Sequence, residues 1–211
     1  MKEYQDHYFH KAKQEHYPAR SVYKLKEMDA KYKLLKPGMT VLDLGASPGS
    51  WSLGAAEKIG SKGRILGADL LPVRVAFPPQ VTFMQEDVFD RSPAFEAALA
   101  EVAPFDLVMS DMAPNTTGVK FTDQCRSLEL CEEALSVAEL YLRPGGAFIV
   151  KIFMGPDAQN FQLHLRTRFA KVHVFKPKSS RSESKEIFYV ALGFKGRGED
   201  QEKDPDPCGG A

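Results

Sequence analysis

Cysteine is scarce. Cys125, Cys131 and Cys208 are the only three in 211 residues, with no CxxC pair and no paired histidines. That pattern argues against a zinc site and against a disulfide framework, so no metal is expected and the thiols read as small packing groups in a reducing compartment. Long apolar runs are missing too. Lys151 interrupts the best candidate, GAFIVKIFMG, well short of the roughly 20 residues that cross a bilayer. The start, MKEYQDHYFHKAK, lacks the apolar stretch of a signal peptide. A cytoplasmic protein without a membrane partner is the expectation. Net charge is also absent, since 28 Lys and Arg balance 28 Asp and Glu. There is no internal repeat and no room for two full domains.

The charges are nonetheless unevenly placed, and distribution matters more than their sum for a polyanionic partner. Lys2, Lys11, Lys13, Arg20, Lys24 and Lys26 crowd the beginning, and Lys171, Lys176, Lys178, Arg181 and Lys185 form a second basic block. Acids gather in the tail, GRGEDQEKDPDPCGGA, whose glycine, proline and charge content is that of a disordered end. Three segments follow: a basic arm and helix over 1–36, one folded domain over 37–195, and an acidic tail over 196–211.

Within the domain, short apolar runs alternate with helix-patterned segments, as in an α/β sheet. Strands are expected at Thr40–Leu44, Arg64–Ala68, Val81–Gln85, Phe105–Ser110 and Ala147–Phe153. Helices are expected near Trp51–Ile59, Pro93–Glu101, Asp123–Tyr141 and Asp157–Phe169. Lys171–Phe175 and Ile187–Phe194 lack a helix-length connection, and parallel neighbours need a crossover of a dozen or more residues. A seven-stranded, mostly parallel sheet closed by an antiparallel hairpin results. A separate helix spans Ser21 to about Tyr32, with Ser21 as its cap or first-turn residue.

The first strand ends at Asp43-Leu44-Gly45, and a helix starts after Pro48-Gly49-Ser50. Glycines there let backbone amides approach a ligand at the carboxyl end of the sheet. The spacing is GxxxG, not the GxGxxG of dinucleotide folds, and no P-loop Lys-Ser/Thr follows. Asp69 closes strand two about twenty residues on, where an acid can accept ribose hydroxyls. Asp87 after strand three can take a hydrogen bond from an adenine edge or amine. Each alone is more often a strand-end or helix-cap carboxylate; acids at successive strand ends together describe a pocket for a nucleoside without its phosphates.

Lys24, Asp111, Lys151 and Glu186 are charged where an apolar core is otherwise expected. Methylation of a hydroxyl needs an acceptor oxygen aligned with the departing thioether and a group to take its proton. Lys151 is the candidate base, with Lys24 holding the acceptor and Asp111 and Glu186 orienting the two ammonium groups. Alternatively, Lys151 stays protonated and positions the oxygen while the proton leaves late to solvent.

With these motifs in order, ARSVYKLKE, LDLGASPGSW, SDMAPN, VKIF and SSRSESKEIFYVALGFK, the chain resembles the FtsJ family of RNA ribose 2′-O-methyltransferases from about Tyr4 to Lys195. The resemblance implies a Rossmann-like class I fold using S-adenosyl-L-methionine. It implies a catalytic quartet at Lys24, Asp111, Lys151 and Glu186. It places cofactor contacts at Gly45, Ser47, Pro48, Gly49, Trp51, Asp69, Asp87, Val88 and Asp111. RNA contacts are expected at Lys11, Lys13, Arg20, Lys178 and Arg181, with Tyr4, Tyr8, Phe9 and Tyr17 either stacking on bases or packing the arm onto the domain.

Length and the short arm look most like the bacterial branch, which acts as a monomer on a uridine of 23S ribosomal RNA in the large (50S) subunit. The tRNA-directed branch is similar in motifs, and a non-catalytic cofactor- and RNA-binding module is a further class. A base-directed enzyme is disfavoured, because SDMAPN is not an Asn/Asp-Pro-Pro-aromatic loop. One departure stands out: the bacterial pattern has two arginines around a serine ahead of the quartet helix, and Tyr17-Pro18-Ala19-Arg20 keeps only the second.

Overall fold

A computed structural model describes residues 2–181 and 184–196, with side chains from His7 onward. The acidic tail beyond residue 196, Cys208 and the side chain of Tyr4 lie outside the described residues.

Seven strands form one sheet, β1 (Thr40–Leu44), β2 (Arg64–Asp69), β3 (Val81–Gln85), β4 (Phe105–Ser110), β5 (Leu142–Phe153), β6 (Phe169–Phe175) and β7 (Glu186–Phe194). Their order is β3-β2-β1-β4-β5-β7-β6. The first five pair in parallel, and β7 pairs antiparallel with both β5 and β6. The mostly parallel sheet with an antiparallel close is as the alternation of elements predicts.

Helices cover both faces, and alternation along the strands assigns residues to each. On one side, α2 (Val22–Tyr32) and α3 (Ser50–Ile59) bury Leu25, Met28, Trp51 and Ile59 against Val41, Leu107, Met109, Ile149, Phe188 and Val190. On the other, α4 (Pro93–Val102), α5 (Lys120–Tyr141) and α6 (Ala158–Arg168) meet Leu42, Val108, Phe148, Val150 and Ile152. The parity of a residue along its strand therefore decides which helices a strand-end side chain faces.

Four local expectations change. An additional helix, α1 (Lys2–Gln14), occupies the arm. Its Ala12 is buried beside Tyr17, Val22 and Tyr23, and Tyr8 packs on Tyr23, so tertiary contact supplies what a polar, aromatic sequence does not advertise. Helix α5 begins at Lys120 instead of Asp123 because the Asp123 carboxylate accepts hydrogen bonds from the Thr117 and Gly118 amides and organises the turn before it. Strand β5 begins at Leu142, which pairs with Phe105 before a shift in register absorbs Arg143-Pro144-Gly145-Gly146. Ser21 precedes α2 but is itself helical (φ −57°, ψ −24°), so its hydroxyl makes no cap. Its carbonyl instead accepts the Trp51 indole N–H at 2.9 Å.

Candidate active site

The same parity that puts Met109, Ile149 and Phe188 against α2 carries to the strand ends. Asp111, Lys151 and Glu186 continue those rows, and Lys151 and Phe153 lie opposite Phe188 and Glu186 in the β5–β7 register. On α2, Lys24 shares a face with buried Met28 four residues on. The four charges converge. Lys151 Nζ lies 3.1 Å from Asp111 Oδ1, and Lys24 Nζ lies 2.7 Å from Glu186 Oε1 and 3.9 Å from Asp111 Oδ1. Lys151 also donates to the Asp111 carbonyl oxygen. Neither ammonium is aligned for a hydrogen bond to Asp111 Oδ1, a buried atom that is held by charge alone.

Two lysines and two carboxylates make a formally neutral cluster, the condition under which buried charge is tolerated. Lys151 is 7% exposed. Burial pushes the Glu186 carboxyl up, but Lys24, a hydrogen bond from the Ser180 hydroxyl (2.9 Å) and Lys151 outweigh it, leaving Glu186 below the usual carboxylate range.

On the sheet side of Asp111 opens a cavity of about 270 Å³ lined by Gly45, Ser47, Asp69, Asp87, Val88 and Asp111, with Leu70, Leu71, Phe89 and Met112 as apolar walls. Gly45 has φ +80°, and a Cβ there would stand 2.8 Å from Met112 Cγ. Asp69 holds the turn through the Ser47 amide (2.9 Å) and its own loop through the Leu71 amide (2.8 Å). Asp87 accepts from the Phe89 amide. Each carboxylate keeps lone pairs for a ligand rich in hydroxyls and amines. Four acids (Asp69, Glu86, Asp87 and Asp111), apolar walls and no basic side chain on the lining suit a nucleoside carrying positive charge and no phosphate.

Pro48, Gly49 and Trp51 do not line this cavity. A Cβ on Gly49 (φ +106°) would meet Val75 Cγ2 at 2.7 Å, so that glycine lets the segment after β2 close over the turn. The Trp51 side chain is buried against Phe188 and serves the core.

Lys24 and Glu186 of the quartet line a second cavity, of about 540 Å³, together with Arg20, Ser21, Arg181 and Ser184. Burial and the like charge of Arg181 both act against the Arg20 cation, with Glu186 only partly compensating. An anion between the two guanidinium groups would relieve that. The remaining basic residues expected to meet RNA are more dispersed. Lys11 pairs with Glu15 at 3.8 Å and sits over the Tyr23 ring, Lys13 is exposed on α1, and the Lys178 amide is bound by Glu27 at 2.7 Å. Tyr17 is buried and Tyr8 is half-buried against Tyr23, while Phe9 is exposed.

Sequence reasoning missed the residues that hold the quartet. Glu27 on α2 receives the Lys178 and Ser179 amides (2.7 and 2.9 Å), and Lys176 Nζ donates to the Ser184 and Glu186 carbonyls. Asp43 reads in the sequence only as part of the glycine motif. It is fully buried, with Oδ2 accepting from the Ser52 hydroxyl at 2.6 Å and Oδ1 without a hydrogen-bond partner. Burial, with the Asp111 and Asp69 charges adding to it against the Ser52 hydrogen bonds, pushes its carboxyl up to about 7. The signal available was an acid inside an apolar strand, TVLDL. Cys131, by contrast, is a buried packing residue as expected, its thiol pushed up by burial and directed at the Lys151 carbonyl at 3.0 Å.

A model of the FtsJ-like methyltransferase family matches residues 17–194. A protein of Oleidesulfovibrio alaskensis named ribosomal RNA large subunit methyltransferase E is 66% identical over 204 residues, which is 97% of this chain and 99% of its own. A Bdellovibrio bacteriovorus protein of the same name is 53% identical over 193 residues, 90% of this chain and 97% of its own. Among solved structures, a Plasmodium falciparum chain described as a ribosomal RNA methyltransferase superposes with a TM-score of 0.76 at 32% identity, covering 86% of this chain and 100% of that one.

Proposed function

Since the chain belongs to the FtsJ-like methyltransferase family, we propose that it transfers a methyl group from S-adenosyl-L-methionine to the ribose 2′-hydroxyl of a uridine in 23S ribosomal RNA of the large subunit. It would act as a monomer in the cytoplasm, on an arm (1–36) and domain (37–195) plan. The observation that carries this reading is the position of the Lys24–Asp111–Lys151–Glu186 cluster between an acid-lined nucleoside cavity and a cationic one. Asp111 lines the first, and its partner Lys24 lines the second.

The methyl donor, when bound, supplies an electrophilic methyl group on a sulfonium. Asp69 and Asp87 would hold its hydroxyls and amine, and Gly45 and Ser47 its backbone-facing side. Arg20 and Arg181 take the phosphates of the acceptor strand, and Lys24, fixed by Glu186, steadies the acceptor ribose. As the ribose oxygen bonds to the methyl carbon, the carbon–sulfur bond would break and a neutral thioether leave, while the hydroxyl proton would pass to Lys151 acting in its amine form and Asp111 would balance the ammonium so restored. In this arrangement Asp111 and Glu186 orient the amines.

The test is methylation of undermethylated 50S particles, free 23S RNA and tRNA with labelled cofactor, with the modified ribose mapped by mass spectrometry. A 2′-O-methylated uridine in the large-subunit RNA is expected. Label in tRNA alone, or on a base, refutes the proposal.

A further inference from the structure

Glu186 of the quartet also lines a third cavity, one that Arg20 does not reach. It measures about 320 Å³ and is walled by Thr116, Lys120, Gln124, Phe153 and Lys185, and it shares Ser184 and Glu186 with the cationic cavity. We propose that this cleft receives the unpaired RNA nucleotide next to the one methylated, its base on the apolar wall and its phosphate on Lys120 and Lys185. The inference rests on the reading of the substrate as RNA.

Continuity is the first argument. A strand that presents a ribose at the Lys151–Asp111 pair has to leave the site in two directions. Ser184 and Glu186 line both the cationic cavity and this cleft, so the two adjoin at Glu186 of the quartet. One exit is lined by arginines; the cleft is the other.

Charge is the second. The acids of the cleft are already engaged: Asp123 accepts from the Thr117 amide and hydroxyl (2.7 and 2.8 Å), which holds it below the usual carboxylate range, and Glu186 is bound to Lys24 and Ser180. Lys120 and Lys185 are exposed, so the cleft offers two ammonium groups to solvent while its acids are turned to internal partners.

Shape and surface are the third. The Gln124 side-chain amide donates to the Met154 carbonyl, and the Met154 amide donates to the Lys185 carbonyl at 3.0 Å, which ties the three walls to one another. Val119 (59% exposed), Phe121 (65%) and Met154 (55%), each next in sequence to a lining residue, leave large apolar groups in water. Stacking surface beside exposed lysines is what single-stranded RNA uses, because every base has an apolar face and every linkage a charge.

Kinetics on undermethylated 50S particles with Lys120→Ala/Lys185→Ala and with Phe121→Ala test this, with cofactor affinity measured separately by calorimetry. Each is expected to raise KM for particles on the order of ten-fold with cofactor affinity unchanged, and Phe121→Tyr and Lys120→Arg are expected to retain wild-type values. Unchanged KM in both sets overturns the inference. A benzophenone amino acid placed at 121 is expected to cross-link to the RNA within a nucleotide or two of the methylated position. Cross-linking to a ribosomal protein instead overturns it in favour of a protein contact. Wild-type enzyme assayed alongside separates the two levels: no ribose methylation sinks the parent proposal, whereas an active wild type with unaffected variants sinks only the cleft.

Discussion

Lys151 sits one strand position away from Val150 and Ile152, both buried, yet its ammonium has a partner because its parity points it across the sheet toward α2. Truncation would leave Asp111 facing Lys24 alone at 3.9 Å and remove the proposed proton acceptor. Lys151→Ala is therefore expected to lower kcat by about 10²–10⁴, the usual worth of a general base, with cofactor affinity retained. Lys151→Arg is expected to be equally inactive, since a guanidinium does not release its proton. A fully active arginine form would reduce the lysine to a positioning role. Asp43 supports a prediction of a different kind. Its folded-state pKa lies above the unfolded value, so its contribution is present below about pH 4, falls away as pH rises toward about 7, and is absent above. Asp43→Asn should remove that slope and be the more stable form at pH 8 by up to roughly 4 kcal/mol. Paired denaturant titrations at pH 5 and pH 8 measure it; a wild type as stable as the variant at pH 8 contradicts it. Glu186 acts in the opposite sense, its lowered pKa giving stability that is lost only as pH falls below the ordinary glutamate range.

At the level of elements, the quartet depends on how the β6–β7 connection is held to α2. Glu27 receives two backbone amides from that connection, and Lys176 ties its far end through two carbonyls. Hydrogen bonds to a charged acceptor contribute about 1.5–3 kcal/mol each. Glu27→Ala is thus expected to release residues 176–180, seen as faster amide hydrogen exchange there, and to lower kcat/KM for RNA while leaving cofactor binding unchanged. Protection equal to wild type would show that Lys176 and Ser180 suffice. None of this was visible in the chain, where Glu27 and Lys178 stand 151 residues apart and read as ordinary surface charges. The strands themselves were legible because alternation and β-branched runs are local properties. The start of β5 and the arm helix were not, since a register shift and a helix held by Ala12 and Tyr8 exist only when their partners are present.

Over the whole molecule, zero formal charge conceals an uneven surface, with Arg20 and Arg181 lining one cavity at the quartet and Lys120 and Lys185 lining another. RNA binding should weaken steeply with salt, and Arg20→Ala/Arg181→Ala should reduce the slope of log affinity against log salt by about one for each phosphate no longer neutralised. Lys11→Glu/Lys13→Glu should have a smaller effect, because Lys11 is engaged by Glu15 and Tyr23. An unchanged slope in the arginine pair would move the phosphate path elsewhere. The sequence by itself determined the sheet, the glycine turn with its strand-end acids, and the four charges that an apolar context could not hide, because periodicity and solvation cost act residue by residue. Only the tertiary structure decided that these four touch, that Trp51 belongs to the core, that Asp43 is a buried acid under the turn, and that a second cleft continues past Glu186. Those facts depend on which strands neighbour one another and which loops α2 holds down, and contacts between distant segments are set by packing of the whole chain.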